Sequence, residues 1–363
     1  MHALKDQFYN PTYYKQLSKN LHAVDPSIDE HRFYKACTKD LNKLELKQRI
    51  SHTSGVCRQF FPDNYRDALK ILYAYAEQIR SNSFADIFMP DYVARYGTHD
   101  FKRSMQALKD FTCYSTSELA IRVFLENDYD RAMTVVKKWS SDKDHHVRRL
   151  SSEGTRPRLP WASQVKYFLD HPENNFPILE ALKQDEDKYV QKSVANHLND
   201  ISKDHPGKLL SLIKKWDRSI DTTEWIIRHG TRTLVKQGNE QTLSLLGINP
   251  NPKVKIHNFT LSKSRLTLGD SLSFKLKISS LAKTSQKLVV DYKVHYKKSS
   301  GKTNPKVFKL KTFNLHPSDS ITLQKKHLFK DFTTRKHYSG KHMIEIMVNG
   351  KSQKTLSLIL AAD

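Results

Sequence analysis

Up to about Gly247, apolar residues recur three and four positions apart, the spacing that lines one face of an α-helix. The run Asp67-Ala-Leu-Lys-Ile-Leu-Tyr-Ala-Tyr-Ala76 is one such stripe, and Ser211-Leu-Ile-Lys-Lys-Trp216 lies in another. Helix punctuation agrees. Asp221-Thr-Thr-Glu224 has the form of a capping box, Gly238 suits the stop of the helix it starts, and Pro206 sits where a first turn tolerates it. After Asn249-Pro-Asn-Pro252 the period changes to two. Ser271–Ile278 and Val290–Tyr296 alternate strictly, as does the run Met343–Val348, and Asn349-Gly350 between two such runs is a strong hairpin signal. Seven strands are predicted, at about 254–262, 271–279, 287–298, 306–314, 320–329, 341–348 and 351–360. The expected fold is mostly α: a helical part over residues 1–248, a linker at 249–252, and an all-β immunoglobulin-like sandwich over 253–363 that has no disulfide.

The helical part echoes itself. Val135-Val-Lys-Lys-Trp139 is followed by an acidic turn and then HHVRRLSSEG, while Leu212-Ile-Lys-Lys-Trp216 is followed by another acidic turn and then EWIIRHGTRT. Between them, an acidic stretch from Leu182 to Val190 leads into QKSVANHLND. Val147, Val190 and Ile226 align, 43 and 36 residues apart, which is the spacing of HEAT-like helical pairs. Such pairs stack into an α-solenoid whose concave face is built from the same helix of every repeat. In all three copies the second helix carries the polar and basic residues, which places the binding surface there.

Charge narrows the partner. The chain has a formal net charge of +23, and residues 253–363 hold 23 lysines and arginines against 6 acids, a net of +17. An excess that large on so short a segment implies a polyanion or an anionic membrane. No long apolar run, signal pattern or lipidation motif supports the membrane, so nucleic acid is the expected partner. Cys37, Cys57 and Cys113 are too few and too scattered for a disulfide framework, which suits a reduced cytosolic location. At 363 residues the chain has length enough for two cores.

Candidate chemistry concentrates in VRRLSSEGTRPRLPW, residues 147–161. Arg148, Arg149, Arg156 and Arg158 bracket Glu153, and Trp161 closes the segment. Arginine suits phosphate because its planar fork donates two hydrogen bonds and keeps its charge. A carboxylate among such cations is expected to stay ionised. The plain alternative is a basic helix end followed by a surface loop. Two further acids are candidates. Glu118 stands three residues after Ser115, although Ser-x-x-Glu is also a capping box. Asp200 ends a repeat's second helix, where a carboxylate opposes the helix dipole, and it falls near the same face as Glu153. His229, Arg232 and Lys236 are spaced three and four apart and read as a phosphate track along one helix. No phosphate-binding loop, dinucleotide fingerprint, HExxH or CxxC pair occurs, and the adjacent His145 and His146 read as surface residues, so no metal or cofactor is expected.

VRRLSSEGTRPRLPWA, QKSVANHLNDISKDHP and WIIRHGTRTLVKQG together resemble the HEAT-like-repeat alkylpurine DNA glycosylases, the AlkC/AlkD superfamily, and within it the AlkC branch. Some members of that branch carry a C-terminal immunoglobulin-like domain. The resemblance implies excision of alkylated bases from duplex DNA, mainly N3-methyladenine and in the AlkC branch also N3-methylcytosine, without full flipping of the base. It implies that Tyr114-x3-Glu118 stands where the AlkD branch has a Trp-x3-Asp with the catalytic carboxylate. It also puts Asn196 and Asn199 at the positions of that branch's Trp and Arg, with Trp161 taking over part of the aromatic wall and Glu153 and Asp200 as added carboxylates. The expected enzyme is a monomer that hydrolyses N-glycosidic bonds through Glu118, Glu153 and Asp200. The rival is a non-catalytic HEAT-repeat scaffold that binds nucleic acid through the same cations.

Overall fold

A computed structural model describes residues 4–80, 83–332 and 335–361. The chain forms two compact units, Met1–Gly230 and Thr231–Asp363. The first unit opens with α1 (Leu4–Phe8), α2 (Pro11–Val24), α3 (Glu30–Thr38), α4 (Leu46–Phe60) and α5 (Tyr65–Ile79). It continues with α6 (Phe88–Tyr96), α7 (Phe101–Phe111), α8 (Ile121–Asn127), α9 (Tyr129–Trp139), α10 (His145–Glu153) and α11 (Lys166–Asp170). It closes with α12 (Phe176–Leu182), α13 (Lys188–Asp204), α14 (Pro206–Ile213) and α15 (Asp221–Gly230).

The three sequence echoes are the helical pairs α9/α10, α12/α13 and α14/α15. Val147, Val190 and Ile226 are buried on the second helix of each pair, and α13 packs against both α10 and α15. The acidic turns have a local purpose. Asp144 and Asp187 are the N-caps of α10 and α13, and their carboxylates accept from the backbone N–H groups of His146 and Tyr189, which no intrahelical carbonyl can reach. Pro206 opens α14 as expected.

One punctuation reading changes, while the carboxylate of Glu224 pairs with Arg218 and Arg228. The helix that begins at Asp221 stops at Gly230, and Gly238 ends the next one, α16 (Arg232–Gln237), which is followed by α17 (Glu240–Leu245). Thr231, at φ −92° and ψ 4°, interrupts the helix between them.

Among the described residues, the second unit consists of α16, α17 and eight strands. These are β1 (Val254–Leu261), β2 (Arg265–Thr267), β3 (Ser271–Ser280), β4 (Gln286–Lys297), β5 (Thr303–Leu315), β6 (Ser320–Leu328), β7 (Gly340–Val348) and β8 (Lys351–Ala361). They make a three-stranded sheet, β1-β3-β6, and a five-stranded sheet, β2-β8-β7-β4-β5. Leu272, Phe274, Leu276 and Ile278 of β3 share a core with Leu288, Val290, Tyr292 and Val294 of β4, as strict alternation requires. The strand missing from the expected seven is β2, which pairs in parallel with β8 and is too short to show a period. The Asn349-Gly350 hairpin is present, with both residues at positive φ, 49° and 77°. That hairpin also explains why the compact unit begins before the change of period. Asn349 Nδ2 donates to the carbonyl of Asn249 at 2.8 Å, and a Cβ on Gly350 would lie 2.1 Å from Gly238 Cα. The linker and the end of α16 are therefore packed onto the sandwich. Among the described residues, no helix is long and apolar enough to cross a membrane.

Candidate active site

Five of the side chains singled out from the sequence form one row of alternating charge. Glu118, on the turn between α7 and α8, meets Arg149 of α10 at 2.6 Å (Oε2 to Nη1). Arg149 Nη2 lies 3.7 Å from Glu153 Oε1, one helical turn on. The same Glu153 oxygen accepts from Arg156 Nη1 at 2.5 Å, and Arg156 Nε donates to Asp200 Oδ2 on α13 at 2.9 Å. Lys203 ends the row, 3.2 Å from Asp200 Oδ1. Burial works against the charge of Arg149, yet Glu118 and Glu153 outweigh it and hold the guanidinium pKa above its ordinary value. Arg156 is held up in the same way, against burial, by Glu153 and Asp200. Among the three carboxylates exposure falls along the row, from 18% at the Glu118 side chain to 8% at Glu153 and 3% at Asp200. Glu118 is therefore the most exposed of the three carboxylates. Its capping-box alternative is not formed, since Ser115 Oγ is buried with no hydrogen-bond partner among the described residues and Glu118 turns to Arg149.

A second layer fixes these groups. Thr116 Oγ1 donates to Glu118 Oε2 at 2.8 Å and accepts from Arg149 Nη1 at 3.3 Å. The Ser193 hydroxyl donates to Glu153 Oε2 at 2.6 Å. His197 is fully buried, and its Nδ1 lies 3.0 Å from the Ser152 carbonyl. Burial, reinforced by Arg156, pushes its pKa down to about 3, so the ring is neutral and its Nδ1–H is the donor. Arg122 of α8 is also buried and ties down the loop that carries Arg156. It donates to the carbonyls of Gly154, Arg156 and Ser163 at 3.0–3.1 Å, and burial lowers its pKa to about 10.

The aromatic face on the row is Tyr189, at the start of α13, with the Arg149 Cζ 4.4 Å from its ring centroid. Tyr189 was not foreseen from the sequence, and neither were Thr116, Arg122, Ser193 and His197. A signal for two of them existed: Tyr189, Ser193, Asn196 and Asp200 are spaced four, three and four apart, one stripe of a helix.

The remaining candidates go elsewhere. Arg148 faces away from the row and is occupied by a bidentate contact to Asp185, at 2.6 and 3.1 Å, and by the carbonyls of Asp142 and Lys143. These contacts make Arg148 a clamp between α10 and the turn before α13. Arg158 forms a half-exposed bidentate pair with Asp204. Trp161 is 51% exposed and holds φ at 65°, a conformation that costs a non-glycine residue about 1–2 kcal/mol. Its ring sits edge-on to Phe84, its carbonyl accepts from Lys47, and it borders a cleft of about 350 Å³ with Ile50, Ile87 and Val123. Tyr114 is half-buried on the turn before Glu118, Asn196 is half-buried on α13 and Asn199 is buried on it.

The phosphate track is not one stripe. His229 lies in α15, stacked at 5° on Trp225, whereas Arg232 and Lys236 lie in α16 beyond the break at Thr231. In the second unit, Lys236 and Lys309 act on Asp291 of β4, whose pKa burial nonetheless raises to about 6. Among the described residues, no group of three or more His, Cys, Asp or Glu could hold a metal ion.

Two family descriptions match this chain: "DNA alkylation repair enzyme" over residues 112–234, and the C-terminal Ig-like domain of the uncharacterised protein YhaZ over residues 255–362. The uncharacterized protein YhaZ of Bacillus subtilis (strain 168) is 38% identical over 351 residues, covering 96% of this chain and 97% of that protein. A solved structure of Pseudomonas fluorescens alkylpurine DNA glycosylase AlkC, bound to DNA containing an abasic site analog, is 42% identical. It matches with a TM-score of 0.95, covering 99% of this chain and all of that one.

Proposed function

This chain belongs to the DNA alkylation repair enzyme family, in the branch of AlkC, and from that we propose that it is a DNA glycosylase for cationic N3-alkylated bases in duplex DNA. The observation that carries the reading is the gathering of Glu118, Glu153 and Asp200 into one row whose outermost member is accessible. A pure DNA scaffold gains nothing from acids on a phosphate-facing surface, since they repel it.

N3-methyladenine and N3-methylcytosine are already positively charged in DNA. Such a base leaves neutral, with the bonding pair of the C1′–N bond, and needs no prior protonation. The sugar is left with oxocarbenium character, which a fixed carboxylate stabilises. The same carboxylate orients a water, whose oxygen bonds to C1′ while its proton passes to the carboxylate. Water is the nucleophile, so the enzyme is monofunctional. Residues 1–248 supply this chemistry and the concave surface for DNA, and Trp161 and the Asn196/Asn199 stripe contact the distorted duplex without a full flip of the base. The basic sandwich of residues 253–363 grips the phosphate backbone, adding affinity without sequence information. The protein acts as a monomer on DNA in the cytosol.

Release of free bases from methylated duplex DNA, resolved by chromatography, tests this for the wild type and Glu118→Gln. The wild type is expected to release N3-methyladenine and N3-methylcytosine. Glu118→Gln should slow release by about a hundredfold or more while duplex binding stays within about twofold. Binding without release by the wild type would leave the scaffold reading in its place. Equal loss of both functions in the variant would remove Glu118 from catalysis.

A further inference from the structure

Arg149 is surrounded in a manner unusual for a DNA-facing arginine. Its planar guanidinium lies against the Tyr189 ring, 4.4 Å from the centroid, and its edge meets Glu118 at 2.6 Å, Thr116 at 3.3 Å and Glu153 at 3.7 Å. Tyr189 itself is 43% exposed, so the ring stands at the mouth of the row rather than in its depth. One aromatic face, a partly exposed carboxylate (Glu118) and a buried one behind it (Glu153) make a seat for a flat, delocalised, singly charged cation with N–H donors on its edge. An N3-methylated adenine or cytosine fits that description as well as a guanidinium does: it is flat, carries one delocalised charge and bears an exocyclic amino group.

We propose that Tyr189, Glu118 and Glu153 form the seat of the cationic base, and that Arg149 fills this seat as a built-in surrogate until damaged DNA displaces it. The proposal rests on the glycosylase reading and makes Tyr189 a specificity-determining residue. On displacement, the Arg149 guanidinium turns from the carboxylates to a phosphate, which offers it an equivalent bidentate partner. A neutral, undamaged base cannot compete, since it brings no charge to replace the one that leaves the carboxylates. The selection ends with the reaction: cleavage of the C1′–N bond neutralises the base, its attraction to the seat falls, and Arg149 returns and expels it.

The test uses the full chain in two arms. In the first, single-turnover release of N3-methyladenine is compared for the wild type, Tyr189→Leu and Tyr189→Phe, alongside their binding to a duplex with an abasic-site analogue, which has no base to seat. Tyr189→Leu should slow release roughly tenfold, Tyr189→Phe should restore most of it, and all three should bind the abasic duplex within about twofold. Unchanged release in Tyr189→Leu, or abasic binding weakened as much as release, would overturn the seat, because Tyr189 would then be a bystander or an ordinary DNA contact.

The second arm needs no activity. Binding of the 3,9-dimethyladeninium cation and of neutral 9-methyladenine is followed by NMR for the wild type, Arg149→Gln and Arg149→Gln/Tyr189→Leu. The seat predicts that the cation binds Arg149→Gln at least about tenfold more tightly than the wild type, that Tyr189→Leu abolishes the gain, and that the neutral base binds none of them. Equal binding of cation and neutral base would overturn it. If the wild type releases no base and the cation still binds Arg149→Gln, the glycosylase reading fails and the cation seat stands. If Arg149→Gln does not fold, the Tyr189 arm decides.

Discussion

Arg156 shows what a single residue does in this protein. One guanidinium reaches Glu153 through Nη1 and Asp200 through Nε, so two carboxylates from different helices are held apart by one cation. Pairing of this kind is required once the groups are buried, because breaking a buried pair leaves an uncompensated charge that costs about 3–5 kcal/mol. Asp86, in the turn before α6, is the opposite case. It accepts from Tyr75 at 2.9 Å and from Tyr13 at 3.3 Å and has no cation in contact among the described residues. Burial raises its pKa to about 6, against the pull of those two hydroxyls. The folded state thus holds this proton more tightly than the unfolded chain does. The resulting stabilisation is complete below about pH 4 and is lost as the pH rises through about 6. Asp86→Asn keeps an acceptor for both tyrosines and carries no charge. It should match the wild type near pH 4 and exceed it above pH 7 by up to about 3 kcal/mol in urea unfolding. Parallel pH profiles for the two proteins would show that Asp86 is not the group that titrates.

At the level of elements, the site depends on how closely α10, α13 and α15 approach. Gly230 closes α15 against α13: a Cβ there would lie 2.8 Å from Leu198 Cβ and 3.3 Å from the Ala195 carbonyl. Neither neighbour is the far end of a flexible side chain, so one of the helices would have to move. Gly230→Ala is expected to destabilise the protein by about 1–3 kcal/mol, as overpacking does, despite alanine's better helix propensity. A thermal melt checks this, and an unchanged or higher Tm would mean that α13 and α15 separate at little cost. The packing of α13 on α10 sets Ser193 and Asp200 of α13 beside Glu153 at the end of α10 and Arg156 in the loop that follows it. The repeat pattern of the sequence indicated which helices stack. It could not indicate that α15 would end at Gly230, because His229, Arg232 and Lys236 keep a helical spacing straight through the break at Thr231.

For the molecule as a whole, the two units differ in the use of charge. In the first, ion pairs such as Arg149–Glu118, Arg148–Asp185 and Arg156–Asp200 join cations to acids; in the second, residues 253–363 alone carry a net of +17. Lys275 and Lys277 of β3 and Lys325 and Lys326 of β6 are exposed on the three-stranded sheet. If this sheet grips DNA, changing all four to Gln should reduce the slope of log binding constant against log salt by about 0.9 for each lysine that neutralises a phosphate. Release of methylated bases at saturating protein should be unaffected. A slope equal to that of the wild type would put the three-stranded sheet off the DNA.

The sequence by itself determined the class of each unit and the residue types of the candidate site. Period 3.6 and period 2 are local properties of the chain, set by which residues must face a core, so the change near Asn249–Pro252 and the Asn349-Gly350 hairpin were legible without coordinates. Glu153 was legible as chemistry because an acid amid arginines is conspicuous, Asp200 because a carboxylate late in a helix opposes the dipole, and Glu118 through the resemblance of Tyr114-x3-Glu118 to a Trp-x3-Asp segment. Only the tertiary structure decided who pairs with whom. Arg148 and Arg149 are neighbours in sequence, yet they point to different faces of α10, one into the Asp185 clamp and the other to Glu118. Glu118 and Arg149 are 31 positions apart, and Arg156 and Asp200 are 44 apart, so their contacts exist only after the helices have stacked. Tyr189 escaped notice for the same reason: a lone tyrosine after an acidic turn says nothing until α13 lays its ring over the guanidinium of α10.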